Sequence, residues 1–141
     1  MKIIIGLVGS GKTTLYRKLN ENKILNAVEL ELPQSCINDK DIKRQLFTIL
    51  HNSKNIDCII VHPYYLPDNF FDLIHSYDDI GILNVPFEER IKRIKERSEK
   101  LGVTENIFPL EFLLEEEKQF EVFKEKLKQW LKKQNKLPLV L

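Results

Sequence analysis

Net charge is almost absent from this chain: 22 Lys and Arg against 21 Asp and Glu leave +1 over 141 residues. That balance excludes a global field drawing the protein to nucleic acid or to a membrane, so any anion site must be built locally. Cysteine is scarce as well. Cys36 and Cys58 lie far apart without metal-ligand spacing, which excludes a disulfide framework and fits a reduced, cytoplasmic setting. Cys58 enters an apolar run and reads as core. No apolar run reaches membrane-spanning length, and no signal peptide is expected ahead of the first strand. Internal repeats, low-complexity tracts and Pro/Gly linkers are missing too. What remains is 43% hydrophobic and 30% charged, the balance of an ordinary globular chain. It is expected to form one domain, 1–141, long enough for a real core.

The hydrophobic pattern alternates between strand and helix. Apolar runs at 2–8, 27–32, 57–62 and 80–85 predict four strands, with a short fifth at 137–141. Helices are expected at about 12–20, 39–51, 67–75, from Pro86 onward, and 109–134. Ile42, Leu46, Ile49 and Leu50 share one stripe, with Asn38 or Asp39 as its N-cap. Strands that are apolar throughout, separated by helices, imply a parallel sheet covered on both faces. The final helix carries Leu113, Leu114, Phe120, Phe123, Leu127, Trp130 and Leu131 as its apolar set. Its acidic start (Glu115, Glu116, Glu117) and basic end (Lys126, Lys128, Lys132, Lys133) match the helix dipole. It reads as a structural cover for the sheet.

Between the first strand and the first helix stands Gly6-Leu7-Val8-Gly9-Ser10-Gly11-Lys12-Thr13. This is the P-loop pattern in the strand–loop–helix context it requires. The glycines let the backbone turn tightly and aim N–H groups at phosphates, so Gly9, Ser10, Gly11, Lys12, Thr13 and Thr14 are the nucleotide-binding candidates. Lys12 is expected to reach the β- and γ-phosphates, the Thr13 hydroxyl to ligate Mg²⁺, and Thr14 to add a second hydroxyl. The helix N-terminus supplies positive potential. Ser10 serves the turn through its small size and its N–H.

A second pattern follows the fourth strand. Phe87, Ile91, Ile94 and Leu101 fall on one helical arc, and Arg90, Arg93 and Arg97 fall on the arc beside it. Arg93 and Arg97 are like charges at i, i+4, which disfavours an isolated helix. An anionic ligand explains the arrangement, because guanidinium groups make planar, multidentate contacts with phosphate oxygens. A salt-bridge-laced surface helix, with Glu89 and Arg93 as one pair, is the competing reading.

The P-loop on strand one and the basic segment after strand four resemble the P-loop nucleotide and polynucleotide kinases. The lid at about 86–102, followed by Pro109, Leu110, Leu113 and Leu114, is most similar to the kinase domain of phage-type polynucleotide 5′-kinases. The resemblance implies the three-layer α/β sandwich of P-loop NTPases with a central, mostly parallel sheet of about five strands. It implies ATP or GTP with Mg²⁺ held at Lys12 and Thr13, and Arg97 and Arg93 on the transferring phosphate. Asp41 is the best-placed residue to orient the acceptor, with Glu31 and Asp39 as alternatives.

Two departures stand out. Strand two ends Glu29-Leu30-Glu31-Leu32-Pro33, without the expected Asp. His62 stands at the end of strand three, where the family has a polar or acidic residue. It is either a contact for an acceptor or a strand-end histidine with a hydrogen-bond partner. Tyr64 and Tyr65 follow it and can stack on a nucleobase, with a core position equally open to at least one of them. The expected activity is transfer of a γ-phosphate to a polynucleotide 5′-OH, a nucleoside, a nucleoside monophosphate or another small metabolite. The alternative is a nucleotide-binding regulatory module without catalysis. No membrane partner is expected, and the sequence is silent on oligomeric state.

Overall fold

Ile3, Ile4 and Ile5 are each almost wholly buried because their strand lies in the middle of a sheet with both faces covered. The computed structural model describes residues 1–21, 27–30, 44, 46, 48, 50, 56–102 and 109–140. Strand β1 (Lys2–Gly6) pairs in parallel with β3 (Cys58–Val61) on one side and β4 (Asp79–Leu83) on the other. Strand β2 (Ala27–Leu30) pairs in parallel with β3, so the order is β2-β3-β1-β4. The chain steps outward from β1 to β2, returns to β3, then crosses to β4. The segments after β1, β3 and β4 therefore meet at the carboxyl edge of the sheet, where α/β folds place their ligands.

Side-chain alternation sorts the core into two layers. Ile3, Ile5, Ile59 and Val61 pack with Leu46, Leu50, Phe70, Phe120, Leu127, Trp130 and Leu131. Ile4, Cys58, Ile60 and Ala27 face the other way, against Leu15, Tyr16 and Leu19. Helix α1 (Lys12–Glu21) thus covers one face. Helices α2 (Phe70–Leu73) and α4 (Leu110–Lys133) cover the other. Arg44, Leu46, Thr48 and Leu50 are helical, as 39–51 predicts; the bounds of that helix lie outside the described residues. None of the described helices is long and apolar enough to cross a membrane.

Several bounds differ from the pattern reading. The first strand stops at Gly6, which leaves Leu7 and Val8 to the loop. Helix α2 is four residues rather than the nine expected at 67–75, and Ile74 is extended at φ −85°, ψ 156°. Its flanks are turns: Phe70 N–H bonds to the Pro67 carbonyl, and the Asp78 carboxylate takes the His75 N–H at 2.8 Å. Helix α3 (Phe87–Lys100) begins one residue after Pro86, which acts as N-cap instead of first helical residue.

The fifth strand does not form among the described residues. The segment after α4 still approaches the β4 edge, where Leu139 N–H donates to the Ile80 carbonyl at 2.8 Å. Asn135 turns the chain there at φ 53°, and Lys136 N–H bonds back to the Leu131 carbonyl at 2.9 Å, a Schellman stop built on Asn.

Candidate functional site

The loop after β1 is shaped by two glycines that no other residue replaces easily. Gly9 has φ 77° and Gly11 φ 94°, both in the left-handed region. A Cβ on Gly9 would lie 2.9 Å from the Arg90 carbonyl oxygen and 3.0 Å from Ile94 Cγ1. Helix α3 therefore sits directly against the turn of the loop. The α1 ladder starts with Leu15 N–H to the Gly11 carbonyl at 3.0 Å, so the first-turn N–H groups lie outside it. That is the arrangement that accepts a phosphate at a helix N-terminus.

Lys12 is buried, and its Nζ donates to the Leu7 carbonyl at 2.8 Å. Ser10 N–H closes the turn onto the same carbonyl at 3.1 Å. Thr13 is half-buried and Thr14 exposed on the first turn of α1. Asp41, Glu31 and Asp39 lie outside the described residues.

The three arginines of α3 part company. Arg93 reaches the loop: its Nη1 is 3.5 Å from the Gly9 carbonyl and would stand 3.7 Å from a Cβ on Gly11. Its Nε pairs with Glu89 at 3.5 Å, so the expected surface pair and the approach to the loop coexist. Arg97 is exposed one turn further along α3. Arg90 corrects the reading of a three-residue stripe. It is 1% exposed, more deeply buried than Phe87, Ile91 or Ile94. Its Nε donates to the Val8 carbonyl at 2.9 Å, its Nη1 to Glu117 at 3.1 Å, and its Nη2 to Glu116. Its guanidinium is thereby satisfied without any ligand.

Glu116, on α4, is the residue the pattern reading missed. It is 7% exposed and carries three partners. Oε1 takes Arg90 Nη2; Oε2 takes His62 Nε2 and, at 3.4 Å, the Val8 N–H. Burial alone would push its carboxyl pKa up, but the His62 hydrogen bond, with Arg90 and the Val8 N–H, outweighs it and holds the pKa down. A signal was present. Glu116 is three residues after Leu113 and four before Phe120, both buried, so it occupies the core-facing stripe rather than the acidic surface.

His62 resolves as the hydrogen-bonded strand-end histidine. Its Nδ1 accepts the Tyr64 N–H at 3.0 Å, which assigns the proton to Nε2 and makes it the donor to Glu116. The adjacent tyrosines divide: Tyr65 is buried in the core, while Tyr64 is 58% exposed beside it. Among the described residues, no group of three or more His, Cys, Asp or Glu side chains converges to hold a metal.

No protein-family model matches this chain, and neither does any curated protein. Solved structures share the fold. A chain of the Pnkp1/Rnl/Hen1 RNA repair complex aligns with TM-score 0.62 and 22% identity over 89% of this chain. The match spans only 45% of that longer chain. A gluconokinase from Sinorhizobium meliloti aligns with TM-score 0.53 and 17% identity, covering 83% of this chain and 72% of that one. A deoxyadenosine kinase from M. mycoides gives TM-score 0.51 and 22% identity, covering 89% and 84%. The parallel α/β fold is thus one used by kinases.

Proposed function

We propose that this protein is a P-loop phosphotransferase that binds ATP or GTP with Mg²⁺ and moves the γ-phosphate to a hydroxyl or phosphate acceptor. The observation that carries the reading is Arg93 standing over the glycine loop, beside the helix start that holds Lys12 and Thr13. The positive-φ glycines and the α1 N-terminus fit a triphosphate. Thr13, with the phosphates, would hold Mg²⁺, which would supply charge neutralisation on the transferring group. Lys12 exchanges the Leu7 carbonyl for a phosphate oxygen. Arg93, with Arg97 one turn on, meets the charge that develops during transfer, so catalysis is positioning and electrostatic stabilisation.

The acceptor classes follow those of the similar folds: an RNA repair complex, a gluconokinase and a deoxyadenosine kinase. Exposed Tyr64 at the carboxyl edge favours an acceptor that carries a nucleobase, including a polynucleotide 5′ end. Asp41 is our choice to orient that acceptor. We assign 86–102 as the lid of a single domain, and the cytoplasm as its setting.

A second reading, a nucleotide-binding regulatory module, is favoured by His62, which stands where a polar or acidic residue is expected and has both ring nitrogens engaged. One experiment separates the two. The protein is incubated with γ-labelled ATP and Mg²⁺ against 5′-OH oligonucleotides, nucleosides, nucleoside monophosphates and sugars. Label transfer that disappears in Lys12→Ala supports the kinase. Tight ATP binding without transfer to any acceptor supports the regulatory module.

A further inference from the structure

We propose that Glu116 is a positioning residue of the glycine loop: acting with Arg90, it sets two successive peptide planes of the loop from behind and thereby aims Lys12 and the Gly9 N–H. The proposal rests on the nucleotide site described above. It adds to that site a residue from the last helix, which touches no phosphate itself.

The geometry is that of the trans peptide, whose C=O and N–H point in opposite directions. In the Leu7–Val8 plane, the Val8 N–H faces Glu116 Oε2 at 3.4 Å. The Leu7 carbonyl must then point the other way, where it accepts Lys12 Nζ at 2.8 Å and Ser10 N–H at 3.1 Å. In the Val8–Gly9 plane, the Val8 carbonyl accepts Arg90 Nε at 2.9 Å. The Gly9 N–H is thereby turned away from Arg90 Nε.

One carboxylate governs both planes, because Glu116 also holds Arg90 through Nη2. It is in turn oriented by His62, whose ring is fixed by the Tyr64 N–H. Glycine-rich backbone rotates easily, and a loop that aims N–H groups at phosphates loses affinity when its planes rotate. A buried ion pair behind the loop restrains that rotation at no cost to the phosphate-facing surface.

The test compares Glu116→Gln with Glu117→Gln. Both remove a carboxylate from Arg90, but only Glu116 touches the loop. ATP affinity is measured by calorimetry, and amide exchange at Val8 by NMR in the nucleotide-free protein. Loss of a charge-assisted bond predicts about tenfold weaker ATP binding and about tenfold faster Val8 exchange in Glu116→Gln, with Glu117→Gln within about twofold of wild type. Exchange at Phe120 and Leu127 should stay unchanged, which separates local loosening from general destabilisation.

Wild-type affinity together with unchanged Val8 exchange in Glu116→Gln overturns the proposal. If that variant does not fold, Arg90→Lys replaces it: a cation remains for Glu116, but the donor at the Val8 carbonyl is gone. Unchanged ATP affinity there overturns the proposal equally. Wild-type protein that binds ATP yet transfers to no acceptor counts against the kinase reading alone. Wild-type protein that binds no ATP counts against the nucleotide site, and the exchange comparison then judges Glu116 by itself.

Discussion

Arg90 Nε donates to the carbonyl of Val8 at 2.9 Å, across 82 positions of sequence. This contact fastens the base of helix α3 to the glycine loop. It leaves Arg93, on the next turn, at the mouth of the loop with its Nη1 3.5 Å from the Gly9 carbonyl. Two arginines three residues apart thus have different surroundings, one inside the protein and one exposed beside the glycine loop.

That division predicts different kinetics for the exposed pair. Arg93→Ala should lower both ATP affinity and transfer rate, the rate by on the order of 100-fold, as loss of one transition-state donor does. Under the proposed function Arg97 acts only on a bound triphosphate, so Arg97→Ala should lower the transfer rate while leaving ATP affinity within about twofold. Titration calorimetry and initial rates check both. Equal losses of affinity in the two variants would contradict the assignment of Arg93 to the loop.

Gly9→Ala should be harmful despite its small size. The new Cβ meets the Arg90 carbonyl oxygen at 2.9 Å, and φ 77° is strained for alanine. The left-handed conformation alone costs roughly 1–2 kcal/mol. Denaturant unfolding should show at least that loss, accompanied by weaker ATP binding as α3 is pushed off the loop. Unchanged stability would sink the close-packing account.

Glu116 makes stability acid-sensitive in a defined direction. Its carboxyl pKa is held below the ordinary 4.5, so the folded state binds the proton less readily than the unfolded chain. The stabilisation is therefore complete above about pH 5 and is lost as pH falls through the lowered value. The groups around it are His62, Arg90 and Glu117. Thermal melts from neutral pH downward should show a wild-type advantage over Glu116→Gln that shrinks below about pH 4. An advantage that grows on acidification would refute the sign.

Cys58 should be inert in the native protein. Burial pushes its thiol pKa up, assisted by Asp57, against a smaller downward pull from Lys2 and the chain amino terminus. The side chain is 0% exposed between the sheet and α1. Iodoacetamide should modify it only after unfolding, as peptide mass mapping with and without denaturant can show. Rapid native labelling of Cys58 would contradict its place in the core.

Much of this arrangement was legible from residue order. The strand–loop–helix context of Gly6 to Thr13 and the four apolar strand segments each depend on neighbours within about ten residues, where period and turn chemistry are strong signals. The fifth strand failed because one backbone bond beside Pro138 does not make a ladder. The shortened helix α2 failed because turns at Pro67 and Asp78 take its ends.

The sequence by itself determined the glycine-rich loop between strand and helix, the parallel α/β order and the basic helix beside them, because each is written in local spacing. The tertiary structure alone decided that Arg90 and Glu116 are internal while Arg93 stays exposed beside the glycine loop. A helical wheel ranks directions around one helix but says nothing of what stands opposite. Arg90 is buried because Val8, Glu116 and Glu117 converge on it from two distant parts of the chain. Only the folded packing of β1, α3 and α4 creates that meeting point.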